Sequence, residues 1–190
     1  MSATKCTRIL MEEHKTILRA LNVLNAMAAQ AESGEVPARG DVHTLLEFLR
    51  TFGDDLHQGK EEAVLFPIFT SACTKSEFES VSHLIFEHNQ ERSLIEGMED
   101  ALLTNSRADF IYFAKRLVET LENHIYKEDH ILFELIDRTL SPREDERAVA
   151  GFQEMDRAVS LGEDDALFTR LRGLEWKYLG KVTAQSAQSA

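Results

Sequence analysis

Apolar residues along the chain recur at three- and four-residue intervals, the period of an α-helix, and do not alternate with polar ones as a half-buried strand requires. The first such stretch runs from about Lys5 to Ala31, with Ile9, Ile17, Leu21 and Leu24 among its apolar positions. Residues 32–40, with Ser33-Gly34 and Pro37, read as a loop. A second helix is predicted from Asp41, taken as its N-cap, and carries Leu45, Phe48, Leu49, Phe52, Leu56 and Leu65. Pro67 should bend or interrupt it, because proline has no N–H to donate and its ring crowds the preceding turn. Third and fourth helices are expected from about Ser76 to Leu103 and from about Ala108 to Leu140. Ser141-Pro142 opens a fifth, as proline does in a first turn, and a shorter sixth lies around Asp164 to Tyr178.

Four long helices with short connections favour an all-α, up-down-up-down four-helix bundle with two additional C-terminal helices. The bundle is assigned to residues 1–140 and a helical extension packed on it to 141–180. The small, polar tail 181–190 is expected to be disordered. A net charge of −12 with no dense basic patch argues against nucleic acid or an anionic membrane as partner. The N-terminal ten residues carry no apolar leader segment, and no apolar run approaches a membrane span. Two cysteines, Cys6 and Cys73, cannot form a disulfide framework and lack C-x-x-C spacing, so a reduced, cytoplasmic protein with ordinary thiols is expected.

The chemistry lies in a repeat. H-Q-G-K-E-E-A-V-L-F from His57 returns as H-I-Y-K-E-D-H-I-L-F from His124, both of the form H-x-x-K-E-x-x-x-L-F. In each copy the His and the Glu, His57 with Glu61 and His124 with Glu128, are four residues apart. On an α-helix that offset is about 400° of rotation and roughly 6 Å of rise, so the two side chains share a face. An imidazole and a carboxylate presented together suit a borderline metal such as iron, zinc or manganese. Helices one and three carry their own E-H dipeptides, Glu13-His14 and Glu87-His88, with both histidines among apolar neighbours at helical spacing. Helices one and two thus resemble helices three and four, and pseudo-twofold symmetry sets two ligand groups opposite each other.

A single histidine on an apolar face is more often a packed core residue than a ligand. Four of them, together with two core-facing glutamates, change that balance. Buried charges are normally paired or metal-bound, and Glu61 and Glu128 would otherwise meet as like charges. Lys60 and Lys127, one residue before each glutamate, should point away from the ligand face. His43 falls at the start of helix two, remote from the others, and His130 should face solvent. His83 is the one plausible extra ligand.

These residues resemble the hemerythrin-like family, the H-H-E cation-binding domain, over about Arg8 to Leu140. The resemblance implies a non-haem di-iron centre: two iron ions bridged by Glu61, Glu128 and an oxo or hydroxo group from solvent. His14, His57, His88 and His124 would be terminal ligands, and zinc or manganese could occupy the same donors. Oxygen-carrying hemerythrins have a fifth histidine in an HxxxH pair on helix three, whereas Leu84 and Arg92 flank His88 here. Their last carboxylate is an Asp five residues after the His, whereas Glu128 stands at four. The symmetric four-His, two-Glu set is more similar to the hemerythrin-like domain of iron-centre repair proteins that respond to nitric oxide and oxidative damage. The small cysteine-bearing N-terminal domain of those proteins is not expected ahead of the first helix, which weighs against a repair role. Ferritin-like bundles use E-x-x-H pairs, and none occurs here.

The expected function is therefore binding of O2, NO or peroxide at a carboxylate-bridged metal pair, in sensing or stress response. An enzyme reducing peroxide or NO or servicing iron centres, an iron storage or iron-sensing protein, and a metal-free scaffold are the competing readings. No nucleophile–base pair, phosphate loop or dinucleotide fingerprint points to organic-substrate chemistry.

Overall fold

Six helices make up the ordered secondary structure of the computed structural model, which describes residues 4–71, 74–159 and 166–180; no strand occurs among them. Helix α1 is Lys5–Glu32. Helix α2, residues 39–70, is continuous but not uniform: Arg39–Phe48 is α-helical, Leu49–Gln58 and Glu61–Leu65 are π-helical, and Phe66–Thr70 is α-helical again. Helix α3 is Lys75–Thr104. Helix α4, residues 107–139, comprises Arg107–Lys127, a π-helical turn at Glu128–Leu132, and Phe133–Thr139. Helices α5 and α6 are Pro142–Val159 and Ala166–Leu179. Cys73, the expected start of the sixth helix at Asp164 and the tail 181–190 lie outside the described residues.

Local chemistry explains two of the helix starts. Ser106 Oγ accepts from the Asp109 N–H and caps α4. At α5, Ser141 and Glu144 bond reciprocally, Ser141 N–H to Glu144 Oε2 at 2.8 Å and Glu144 N–H to Ser141 Oγ at 3.4 Å, the capping-box arrangement. Asp41, expected as the N-cap of α2, is not one. The helix begins at Arg39 after Ala38, with no side-chain cap, and Asp41 accepts from Lys177 and from Tyr178 Oη (2.7 Å) of α6 instead.

Pro67 does not interrupt α2. The helix widens ahead of it, with the Phe66 N–H donating to the Glu61 carbonyl five residues back. In α4 the Phe133 N–H donates to the Glu128 carbonyl in the same way, with no proline in reach. The wide turn therefore belongs to the repeated K-E-x-x-x-L-F stretch rather than to the proline. Such π-helical turns inside α-helices are frequent at functional sites.

The core is two apolar clusters with a polar layer between them. One contains Ile17, Leu21, Leu24, Leu56, Ile95, Leu121 and Ile125; the other contains Leu10, Leu65, Phe66, Leu84, Leu132 and Phe133. On every one of the first four helices the chain passes from one cluster to the other through a candidate ligand: His14 between Leu10 and Ile17, His57 and Glu61 between Leu56 and Leu65, His88 between Leu84 and Ile95, and Glu128 between Ile125 and Leu132. Each buried Leu, Ile or Phe contributes roughly 1.5–3 kcal/mol of burial. The two clusters thus hold the helices on either side of a layer that could not stabilise itself.

Helix α3 packs along α4, and α4 along α1. Helix α6 lies on α1 and the first segment of α2, and α5 lies on α1 and the π-helical part of α2. Leu167, Leu171 and Leu174 of α6 join the first cluster, and Ala148 and Phe152 of α5 join the second. No helix of the described residues is long and apolar enough to cross a membrane.

Candidate metal centre

All six side chains singled out by the repeat meet in the polar layer, and all are buried. His14, His57, His88 and His124 are at most 2% exposed, and Glu61 and Glu128 are at 0%. They form two groups whose donor atoms lie within 4.8 Å of one another: His14, His57, Glu61 and Glu128 on one side, and Glu61, His88, His124 and Glu128 on the other. Both glutamates belong to both groups. Glu61 turns Oε1 toward His57 Nε2 and Oε2 toward His88 Nε2, each at 3.5 Å. Glu128 Oε2 lies 3.2 Å from the Nε2 of His14 and 3.2 Å from that of His124. One carboxylate from each half of the repeat thus spans the two imidazole pairs.

The donors fit a cation better than they fit each other. His14 Nε2 and all four oxygens of Glu61 and Glu128 are buried without a partner in hydrogen-bond geometry. His88 Nε2 faces His124 Nε2 at 3.0 Å, two nitrogens of which one must be without hydrogen for the contact to hold. Leaving buried acceptors unpaired costs about 1–3 kcal/mol each and more for charged groups. Electrostatics in the metal-free state carry the same strain. Burial, then the charge of Glu128, pushes the Glu61 carboxyl well above its ordinary range. Burial also raises Glu128, but the charges of His124 and His14 close by outweigh it and hold this carboxyl well below. Burial and the neighbouring His14 drive His57 down to about 4.

The outward nitrogen of every imidazole is held by a carboxylate. Nδ1 of His14 meets Asp129 at 2.8 Å, that of His57 meets Glu13 at 2.9 Å, that of His88 meets Glu62 at 2.8 Å, and that of His124 meets Glu87 at 2.9 Å. With Nδ1 carrying the hydrogen, each Nε2 is left as a lone-pair donor aimed inward, as metal-ligating histidines are commonly arranged. Burial notwithstanding, hydrogen bonds from His124 and Lys127 hold Glu87 at about 2. The supports obey the repeat: the acid before each E-H histidine holds the histidine of the next helix, and the acid after each bridging glutamate holds the histidine of a neighbour. Lys60 and Lys127 reach Glu13 and Glu87. Both turn away from the ligands, but Lys60 does so into the interior, 1% exposed, where it also meets Asp156 of α5 at 2.6 Å. Phe133 and Phe66, last in the two motif copies, stack on His14 and His88 with ring centroids 5.7 and 6.2 Å away.

These four carboxylates were not singled out from the sequence, although adjacency to a ligand in both copies was a usable signal. Also missed were Gln58 and Glu91, buried beside the site, with Gln58 Nε2 donating to Glu91 Oε2 at 2.6 Å. Burial pushes Glu91 up to about 7. His130 is exposed, as expected, and His43, expected to lie remote from the others, is exposed in the first segment of α2. His83, the extra candidate, is also exposed and contacts Glu87 at 3.1 Å rather than the inner donors. Cys6 is an ordinary buried thiol, raised by burial to about 12.

The profile of the Hemerythrin HHE cation binding domain matches residues 7–136, which takes in all six donors and their four carboxylate supports. No curated protein and no solved structure matches the chain.

Proposed function

The chain belongs to the hemerythrin HHE cation-binding family, and from that premise we propose that it is a non-haem di-iron protein that binds O2, NO or peroxide in sensing or stress response. The observation that supports this reading is the pair of His/Glu groups sharing both glutamates. His14 and His57 would hold one iron, His88 and His124 the other, with Glu61 and Glu128 bridging. When bound, an iron pair would supply redox-active centres able to react with a small oxidant. The protein's part is preorganisation. Asp129, Glu13, Glu62 and Glu87 fix the imidazole tautomers, and the apolar clusters on either side exclude bulk water from the layer. The same reading takes the first four helices as an up-down-up-down bundle and residues 141–180 as its cover, which the packing of α5 and α6 supports.

The test is metal stoichiometry of the full chain reconstituted with iron, zinc or manganese. Iron should reach two per chain, and His43→Ala and His130→Ala should leave that number unchanged. Stoichiometry near zero with all three metals would remove the proposal.

A further inference from the structure

The donor layer also divides the other way, into an α2–α3 half and an α1–α4 half, each with one helix from each copy of the repeat, and on one side of the layer these two halves differ. An internal cavity of about 20 Å³ there is bordered by His14, His57 and His124, which exceeds the roughly 10–15 Å³ that one water requires. Matching His88 to His14 and His124 to His57 pairs Glu91 with Ile17 and Gln58 with Ile125. All four line the cavity. The two isoleucines show that apolar side chains suffice to pack this layer, yet the other half buries an amide and a carboxylate, 5% and 2% exposed. Gln58 Oε1 and Glu91 Oε1 have no hydrogen-bond partner. The polarity also continues outward. Asp54 and Arg92 stand where the other half has Leu121 and Leu18, pair at 2.7 Å, and line both this cavity and a surface cleft of about 160 Å³.

We propose that this polar half is the entry path and docking wall for hydrogen peroxide, with water as its resting occupant. The inference rests on the metal-pair reading, since the cavity borders three of its imidazoles. With its nitrogen committed to Glu91, Gln58 offers the cavity a carbonyl oxygen, which can only accept a hydrogen bond. An occupant must therefore donate. Hydrogen peroxide and water carry O–H groups; O2 and NO carry none. The wall thus selects, among small oxidants, the one with hydrogens to give.

The experiment gives this half the residues of its partner: Gln58→Ile and Glu91→Ile, with Glu91→Gln as the conservative variant, in the iron-loaded full chain. Metal content is measured first, and ligands are compared only between preparations of equal content, so failure of the metal-pair reading shows itself separately. The half-saturating peroxide concentration, read from the optical spectrum, should rise roughly fivefold or more for each isoleucine variant, the effect of losing one hydrogen bond. Glu91→Gln should change it less, and NO affinity should stay within about twofold, since NO donates no hydrogen bond to the wall. The metal-free double variant Gln58→Ile/Glu91→Ile should melt no lower than metal-free wild type, because it removes both partners of the buried pair together, whereas either single variant leaves one of them unpaired. Unchanged peroxide affinity at full metal content overturns the proposal: with an ordered water on Gln58 and Glu91 in a high-resolution structure, the pair holds only solvent. Loss of metal in both Glu91 variants overturns it too, by making Glu91 a ligand.

Discussion

Glu61 and Glu128 differ from the four histidines in what their loss removes. Each carboxylate belongs to both donor groups, whereas each imidazole belongs to one. Glu61→Ala or Glu128→Ala should therefore lose most of the paired metal, while His14→Ala or His88→Ala should keep at least one ion per chain by elemental analysis. Replacing Glu13 or Glu87 by Ala leaves the ligands in place but frees an imidazole, and should weaken metal binding about 10–100-fold in a competition titration with a chelator. That these six side chains would be brought together was legible in the sequence because a His and a Glu four apart recur in one flanking pattern. Glu13, Glu62, Glu87 and Asp129 were not, because an acidic residue on an amphipathic helix is ordinarily a solvated one. Gln58 and Glu91 carried only a weak signal, a mismatch with the isoleucines at their equivalents in the repeat, which acquires meaning once both prove to be buried.

At the level of elements, helix periodicity located all six helices, and the Ser141-Pro142 pair placed the start of α5. Cap chemistry misplaced the start of α2, where Asp41 has capping chemistry but is held by Lys177 and Tyr178 from a helix far along the chain. The π-helical turns were not read, because π-helix is rare and no residue type in either motif copy is specific to it. Their presence in both copies carries a prediction. Pro67→Ala should leave metal content unchanged and alter stability by less than about 1 kcal/mol in chemical denaturation, the ordinary scale of such a substitution. A large loss of metal would show that the proline shapes the turn after all.

For the whole molecule, the metal-free state should be the weak one and its pH dependence should expose the reason. Glu61 has a raised folded pKa, so the stability it contributes is complete below its ordinary value of 4.5 and is lost as pH rises toward the folded value. His57 is depressed from 6.5 to about 4, so its contribution is complete above 6.5 and is lost as pH falls through that window. The metal-free protein should accordingly melt highest at mildly acidic pH, and Glu61→Gln should flatten the loss on the alkaline side without touching the acid side. The loaded protein should melt above the metal-free one at neutral pH, where bound cations pair the two carboxylates. Equal melting temperatures would mean that Glu61 and Glu128 do not oppose each other in the core. The central claim is that one pair of glutamates serves two metal ions, and anomalous diffraction at the iron edge from crystals of the loaded protein tests it most directly. Two peaks are expected, one in ligand reach of His14 and His57 and one of His88 and His124, with Glu61 and Glu128 touching both. A single peak, or none in the buried layer, would contradict the account.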